Sequence, residues 1–220
     1  YDTRGRLRQG QHRLWAISEA DTAASFVLIR GMAPEAFAVL DTGGPRRLRD
    51  ALYVQREESP GTLAAAITLI LIYGRSEVLD KRGGFGRHQS APTITDGVRW
   101  LANNPSIRES VTFSSHLQRA IHGGRGRWAA VHWLLTQIDV EDASFFLSTL
   151  ASGEGLEAGA PILQLRRRLI DNIHVIMGLT GREYTALIFK AWNLFREGSR
   201  AYSLRWRGGG ASPEVYPQPI

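Results

Sequence analysis

The 220-residue sequence contains no cysteine, which removes disulfides, thiolate metal sites and cysteine nucleophiles in one step. That absence is compatible with a reducing cytoplasm. Lysine is nearly missing too. Of 27 basic residues only Lys81 and Lys190 are lysines, so the net charge of +6 and the pI of about 10.1 rest on arginine. The longest apolar run, "LAAAITLILIY" at 63–73, falls short of the roughly 18 residues a membrane span requires, so it reads as a buried helix and no membrane partner is expected. No secretory signal is visible. Neither a Walker lysine motif, nor paired catalytic carboxylates, nor a Gly-x-Ser-x-Gly elbow around Ser114 and Ser115 is present. His88, His116, His122, His132 and His174 lack the paired spacing of helix-borne metal ligands, so they read as satisfied or surface histidines and no metal is expected.

What is present is ordinary for a globular chain: 43% hydrophobic and 22% charged residues. The arginine excess favours partners that carry phosphate, because a guanidinium fork matches phosphate oxygens bidentately. A GC-rich genome, whose codons prefer arginine to lysine, produces the same substitution without any such partner.

Along the chain, "YDTRGRLRQG" reads as a strand, a turn at Arg4-Gly5 and a return to Gly10. "QHRLWAISEA" has helical composition. "ASFVLIRG", closed by Gly31, is the clearest strand, which makes a strand-helix-strand crossover within about thirty residues. Pro34 and Pro45 suit the first turns of two helices, "PEAFAVLD" and "PRRLRDALYVQRE", and Ser59-Pro60 opens the apolar helix through about Arg75. Residues 80–93, "DKRGGFGRHQSAPT", read as a mobile loop or linker. Beyond it everything is helical, with Thr95, Ser106 and Asp139 as N-caps and "TGRE" at 180–183 as a capping box. The spacing of Tyr184, Leu187, Ile188, Ala191, Trp192 and Phe195 predicts an inward helical face. The glycine- and proline-rich tail, 201–220, reads as extended along the surface.

Two stretches concentrate polar chemistry. "GQHR", Gly10 to Arg13, sits at a helix start, where unpaired backbone amides carry partial positive charge and glycine admits an anion close to the backbone. Gln11, His12 and Arg13 add side-chain donors, which together make a phosphate pocket, although a solvated cap would look the same. "DTGGPRR" places Asp41, Thr42, Arg46 and Arg47 at a helix junction. Arginines in a first turn are mildly unfavourable unless an anion faces them. A surface turn with Asp41 paired to an arginine is the alternative.

"YDTRGRLRQGQHRLWAI" resembles the signature of the DGQHR domains, a branch of the ParB/sulfiredoxin-like superfamily, and "VLDTGGPRRLRDAL" resembles a segment of its phage and mobile-element members. The resemblance covers residues 1 to about 55 and extends loosely to "LRWRGGG". It implies an α+β, mostly helical chain: a small ParB/sulfiredoxin-like α/β domain over 1–55, a helical domain over 56–200 and the tail over 201–220. Because the chain opens on Tyr1, the α/β domain is expected to lack its N-terminal part. The resemblance also implies a phosphate site for a nucleotide (CTP, ATP or GTP) or DNA, with a DNA-related role in a phage or mobile element. Gly10 would be the close-approach glycine, Arg13 the phosphate fork, and His12 a phosphate contact or the acid/base group of a nucleoside triphosphatase. Asp41, Thr42, Arg46 and Arg47 would border the same site. Gln11 stands where sulfiredoxin has its reactive cysteine, so that reductase chemistry is not inherited, and Gln9 replaces the usual Asp/Asn, which counts against catalysis before binding. Binding without catalysis is therefore the first expectation, and a purely structural helix cap the third.

Arg166, Arg167 and Arg168 in "LRRRL", with Arg125, Arg127, Arg205 and Arg207, complete a candidate DNA-binding surface. Arginines adjacent on a helix point about 100° apart, so at least one of the three must snorkel along the apolar face. Their common alternative is a solvated charged face.

Overall fold

A computed structural model describes residues 1–33, 35–36, 47–74, 92–171 and 179–220. The expected α/β domain is not formed. The described residues contain helices α1 (Gln11–Glu19), α2 (Leu48–Val54), α3 (Pro60–Gly74), α4 (Ile94–Asn103), α5 (Ile107–Ala120), α6 (Arg125–Thr136), α7 (Val140–Ser152), α8 (Pro161–Asp171) and α9 (Gly181–Arg196), and no strand.

The strand-helix-strand expectation fails for a physical reason. Around Tyr1 to Thr3 and Met32 the chain runs parallel, as a crossover requires, with Met32 N donating to Tyr1 O and Thr3 N donating to Met32 O. Pairing stops at that one bridge, Asp2 with Met32. A strand needs a ladder beside it, and β-favouring composition alone does not supply one. Residues 22–30 therefore stay irregular, with Phe26, Val27, Leu28 and Ile29 between 46% and 88% exposed. α1 buries none of its side chains, and Trp15 is 66% exposed.

The helical body is built around α6. Trp128, Val131 and Leu135 face a core with α7, α8, α9 and the tail, while Ala129 and Ala130 face a second core with α2, α3, α4 and α5. α6 is apolar on both sides because it is covered on both sides. Contact with α3 is close: a Cβ on Gly126 would lie 2.5 Å from the Ala65 Cβ. α2 belongs to this body, since Leu52 is fully buried in the cluster of Leu63 and Ile67.

Helix starts follow their capping chemistry. Asp139 accepts from the Asp142 amide at 2.9 Å, and Thr180 accepts from the Glu183 amide at 3.2 Å, as the sequence implies. At α4 the cap is Thr93 rather than Thr95: Thr93 Oγ1 accepts from Asp96 N, and Asp96 Oδ2 in turn accepts from Thr93 N. That reciprocal box fixes the start two residues earlier. Ser106 occupies the cap position of α5 without a side-chain cap bond. On α9, Tyr184, Leu187, Ile188, Ala191 and Trp192 are buried as the spacing predicts. Of the proposed linker 80–93, all but 92 and 93 lies outside the described residues, as do most of "PEAFAVLD", His88 and His174.

The tail is irregular but strapped down. Trp192 Nε1 donates to Ile220 O at 2.7 Å, Asn193 Nδ2 to Gln218 O at 2.7 Å, and Lys190 Nζ meets Glu214 at 2.7 Å. Leu204, Trp206 and Tyr216 are buried against the core. No helix among the described residues is long and apolar enough to cross a membrane.

Candidate nucleic-acid interface

The GQHR turn is held from behind by Asp2. Its buried carboxylate accepts from the amides of Arg4 (2.9 Å) and Arg6 (2.8 Å) and from Arg8 Nε (2.7 Å), closing the loop that leads to Gly10. Those bonds, the Arg6 amide foremost, hold the Asp2 carboxyl below its ordinary pKa, against the opposing effect of desolvation. Gly10 then takes φ 100°, a left-handed conformation that glycine adopts without strain, and stands as the N-cap of α1 with no side-chain cap and no acid in the first turn. Gln11, His12 and Arg13 are exposed, and among the described residues their side chains make no hydrogen bond or ion pair. The turn is an open, uncapped helix start with donors around it.

Of the second motif, Asp41, Thr42 and Arg46 lie outside the described residues. Arg47 is the exposed N-cap of α2, its amide donating to Asp50 Oδ2 at 2.9 Å, and among the described residues nothing bonds it to the GQHR turn.

The seven arginines of the expected DNA surface separate into distinct environments. Arg166 is spent on the fold: its Nη1 donates to the carbonyls of Leu150 (2.7 Å) and Ala151 (2.9 Å) at the end of α7. Arg127 donates to Gly123 O at 2.8 Å and lies over the Tyr184 ring, 4.9 Å from its centroid. Arg125 has a buried Nε without a partner among the described residues. Arg167 is exposed on α8.

Arg168, Arg205 and Arg207 converge. They line one polar groove of about 460 Å³ with Leu187, Trp206 and the carboxylate of Glu183. Arg168 comes from α8, whereas the other two come from the tail, where "LRWR" alternates: Leu204 and Trp206 are buried and Arg205 and Arg207 are exposed. A neighbouring hollow of about 260 Å³ shares Glu183 and Trp206 and adds Thr180, Arg182, Gly208 and Gly209. Arg182 lies 5.0 Å over the Trp206 ring. Among the described residues, four guanidiniums thus border the two hollows against one carboxylate, beside the positive end of α9.

Sequence reasoning missed Arg182, Glu183 and Trp206. "TGRE" was legible only as a helix start, and the signal that could have found Trp206 is the two-residue alternation across Leu204 to Arg207. No group of three metal-ligating side chains occurs among the described residues. No protein-family model, curated protein or solved structure matches this chain, so its site stands on geometry alone.

Proposed function

We propose that this protein binds DNA through backbone phosphates along the groove of Arg168, Arg205 and Arg207. The observation that carries the reading is the meeting of three exposed arginines from two separate parts of the chain, with Glu183 the only opposing charge among the described residues that line the groove. The packed helix and the strapped tail fix the backbones that carry these guanidiniums, so phosphate binding has only the side chains left to order. Sequence-independent binding of this kind is dominated by counterion release.

The test is fluorescence anisotropy of a labelled duplex from low to moderate salt. Affinity should fall steeply with salt, and combined Arg168→Ala, Arg205→Ala and Arg207→Ala should reduce the log-log salt slope by about 2 to 3, near 0.9 for each lost phosphate contact. An unchanged slope in the triple variant removes the proposal.

A second reading concerns the GQHR turn, where the open backbone at Gly10 and the unengaged side chains of Gln11, His12 and Arg13 support phosphate binding, including that of a nucleoside triphosphate. Titration with CTP, ATP and GTP should give saturable binding that Arg13→Ala abolishes. Phosphate release surviving His12→Ala would exclude that imidazole from hydrolysis.

A further inference from the structure

A cavity of about 310 Å³ lies between α3, α6, α9 and the tail; it shares Thr180 and Arg182 with the smaller hollow and no lining residue with the groove of Arg168, Arg205 and Arg207. Its walls are mainly apolar and aromatic. Tyr73 and Phe189 meet edge to face with centroids 5.4 Å apart, Phe189 and Tyr216 do so at 6.4 Å, and Leu134 of α6 closes the opposite side. This is the size and lining of a small-molecule site, apolar with a few polar groups.

Two guanidiniums line the cavity: Arg182, which lies 5.3 Å over the Tyr216 ring, and Arg127, which is out of keeping with its apolar surroundings. Arg127 reaches the cavity half-buried, bonded through Nη1 to Gly123 O and stacked on Tyr184, with its Nε buried and unbonded. Among the described residues no carboxylate pairs with it. The aromatic hydroxyls do not supply the missing charge, because burial pushes the phenol of Tyr73 up and that of Tyr216 up to about 12, leaving both neutral. A partly desolvated guanidinium with an unused donor and no counterion among the described residues favours an anion that brings its own apolar body.

We infer that this cavity binds a small apolar carboxylate, the carboxylate on Arg127 and the hydrocarbon against Tyr73, Phe189 and Leu134. A planar monoanion matches the guanidinium fork. The walls are far more apolar than polar, which favours a ligand with one charged end and a hydrocarbon body.

Isothermal titration calorimetry on the full chain tests this with 1-naphthoate and octanoate against their neutral amides, 1-naphthamide and octanamide. At least one carboxylate should bind one-to-one and at least tenfold more tightly than its amide, and which one does so distinguishes an aromatic from an acyl ligand. Arg127→Gln should bring the carboxylate down to the affinity of the amide and leave the amide unchanged. Thr185→Trp, which places bulk in the cavity lining, should remove both, while Arg168→Ala should alter neither. If neither carboxylate saturates, or if carboxylate and amide bind the wild type equally, the inference is overturned; the wild-type comparison decides even if Arg127→Gln does not fold.

Discussion

Arg166 and Leu150 are joined across the α7–α8 connection, the guanidinium Nη1 donating to the Leu150 carbonyl at 2.7 Å and to that of Ala151 at 2.9 Å. Carbonyls in the last turn of a helix have no partner within it, so this cation satisfies two orphans and opposes the negative end of the helix dipole. Arg168, two residues on, lines the polar groove instead. The two should therefore separate in experiment. Arg166→Ala is expected to lower stability by about 2 kcal/mol, in line with hydrogen bonds from a charged donor, while leaving the salt dependence of DNA binding unchanged. Arg168→Ala should do the reverse. Thermal denaturation and anisotropy on both variants check the pair.

The N-terminal loop depends on a carboxylate in the same way. Asp2 accepts three bonds from Arg4, Arg6 and Arg8, and these place its folded pKa below the ordinary value. Its contribution is present above the unfolded pKa and is lost as the pH falls through the lower, folded one. Protection factors of the amides within residues 1–10, taken relative to the intrinsic exchange rate at each pH, should fall on acidification, and Asp2→Asn should lower them already at neutral pH. Protection in α6 and α9 should not change, because α1 and its approach bury nothing in the helical body. Equal protection of residues 1–10 in wild type and Asp2→Asn would show that the carboxylate does not order the loop.

His132 offers a pH response of the body itself. Its Nδ1 lies 2.8 Å from Ser110 Oγ, its ring packs against Phe113 at a centroid distance of 4.2 Å, and burial pulls its pKa down to about 4 from 6.5. The folded state thus disfavours the imidazolium. The contribution of His132 is full above pH 6.5, falls as the unfolded chain alone takes up the proton, and levels off below about pH 4. The gap corresponds to a loss of about 3 kcal/mol at 1.36 kcal/mol for each pH decade. Urea denaturation across that interval should show the slope, and His132→Gln should flatten it.

The starts of α7 and α9 and the inward face of α9 were legible because they depend on local chemistry: a hydroxyl or carboxylate three residues ahead of a free amide, and apolar residues at one face of a turn; at α4 the expected cap Thr95 gave way to Thr93, and Ser106 caps α5 with no side-chain bond. "ASFVLIRG" misled because strand formation depends on a neighbour that one segment does not reveal. The groove was half legible. Arg168, Arg205 and Arg207 carried the right charge, yet only the strapping of the tail by Trp192, Asn193 and Lys190 brings them together. Arg166 and Arg127 had the same residue type and neighbourhood in sequence, and their diversion to carbonyls and to an aromatic ring is a tertiary fact. The cavity gave no local signal at all, because Tyr73, Arg127, Phe189 and Tyr216 lie on four separate segments.

The packing of α3 on α6 sets two effects of similar size against each other at Gly126. Replacing a helical glycine by alanine ordinarily gains about 1 kcal/mol in helix propensity. Here the added Cβ would sit 2.5 Å from the Ala65 Cβ and 3.3 Å from the Thr62 carbonyl oxygen. Neither neighbour is the end of a flexible side chain, so relief requires the two helices to move apart, and overpacking of this kind costs about 1–3 kcal/mol. The helices also share the Ala129 and Ala130 side of the second core, so separation opens contacts beyond the point of collision. The steric cost is therefore expected to exceed the propensity gain. Gly126→Ala should lower the thermal midpoint, and combining it with Ala65→Gly should restore most of the loss; if the double variant is no more stable than Gly126→Ala alone, the collision is not its cause.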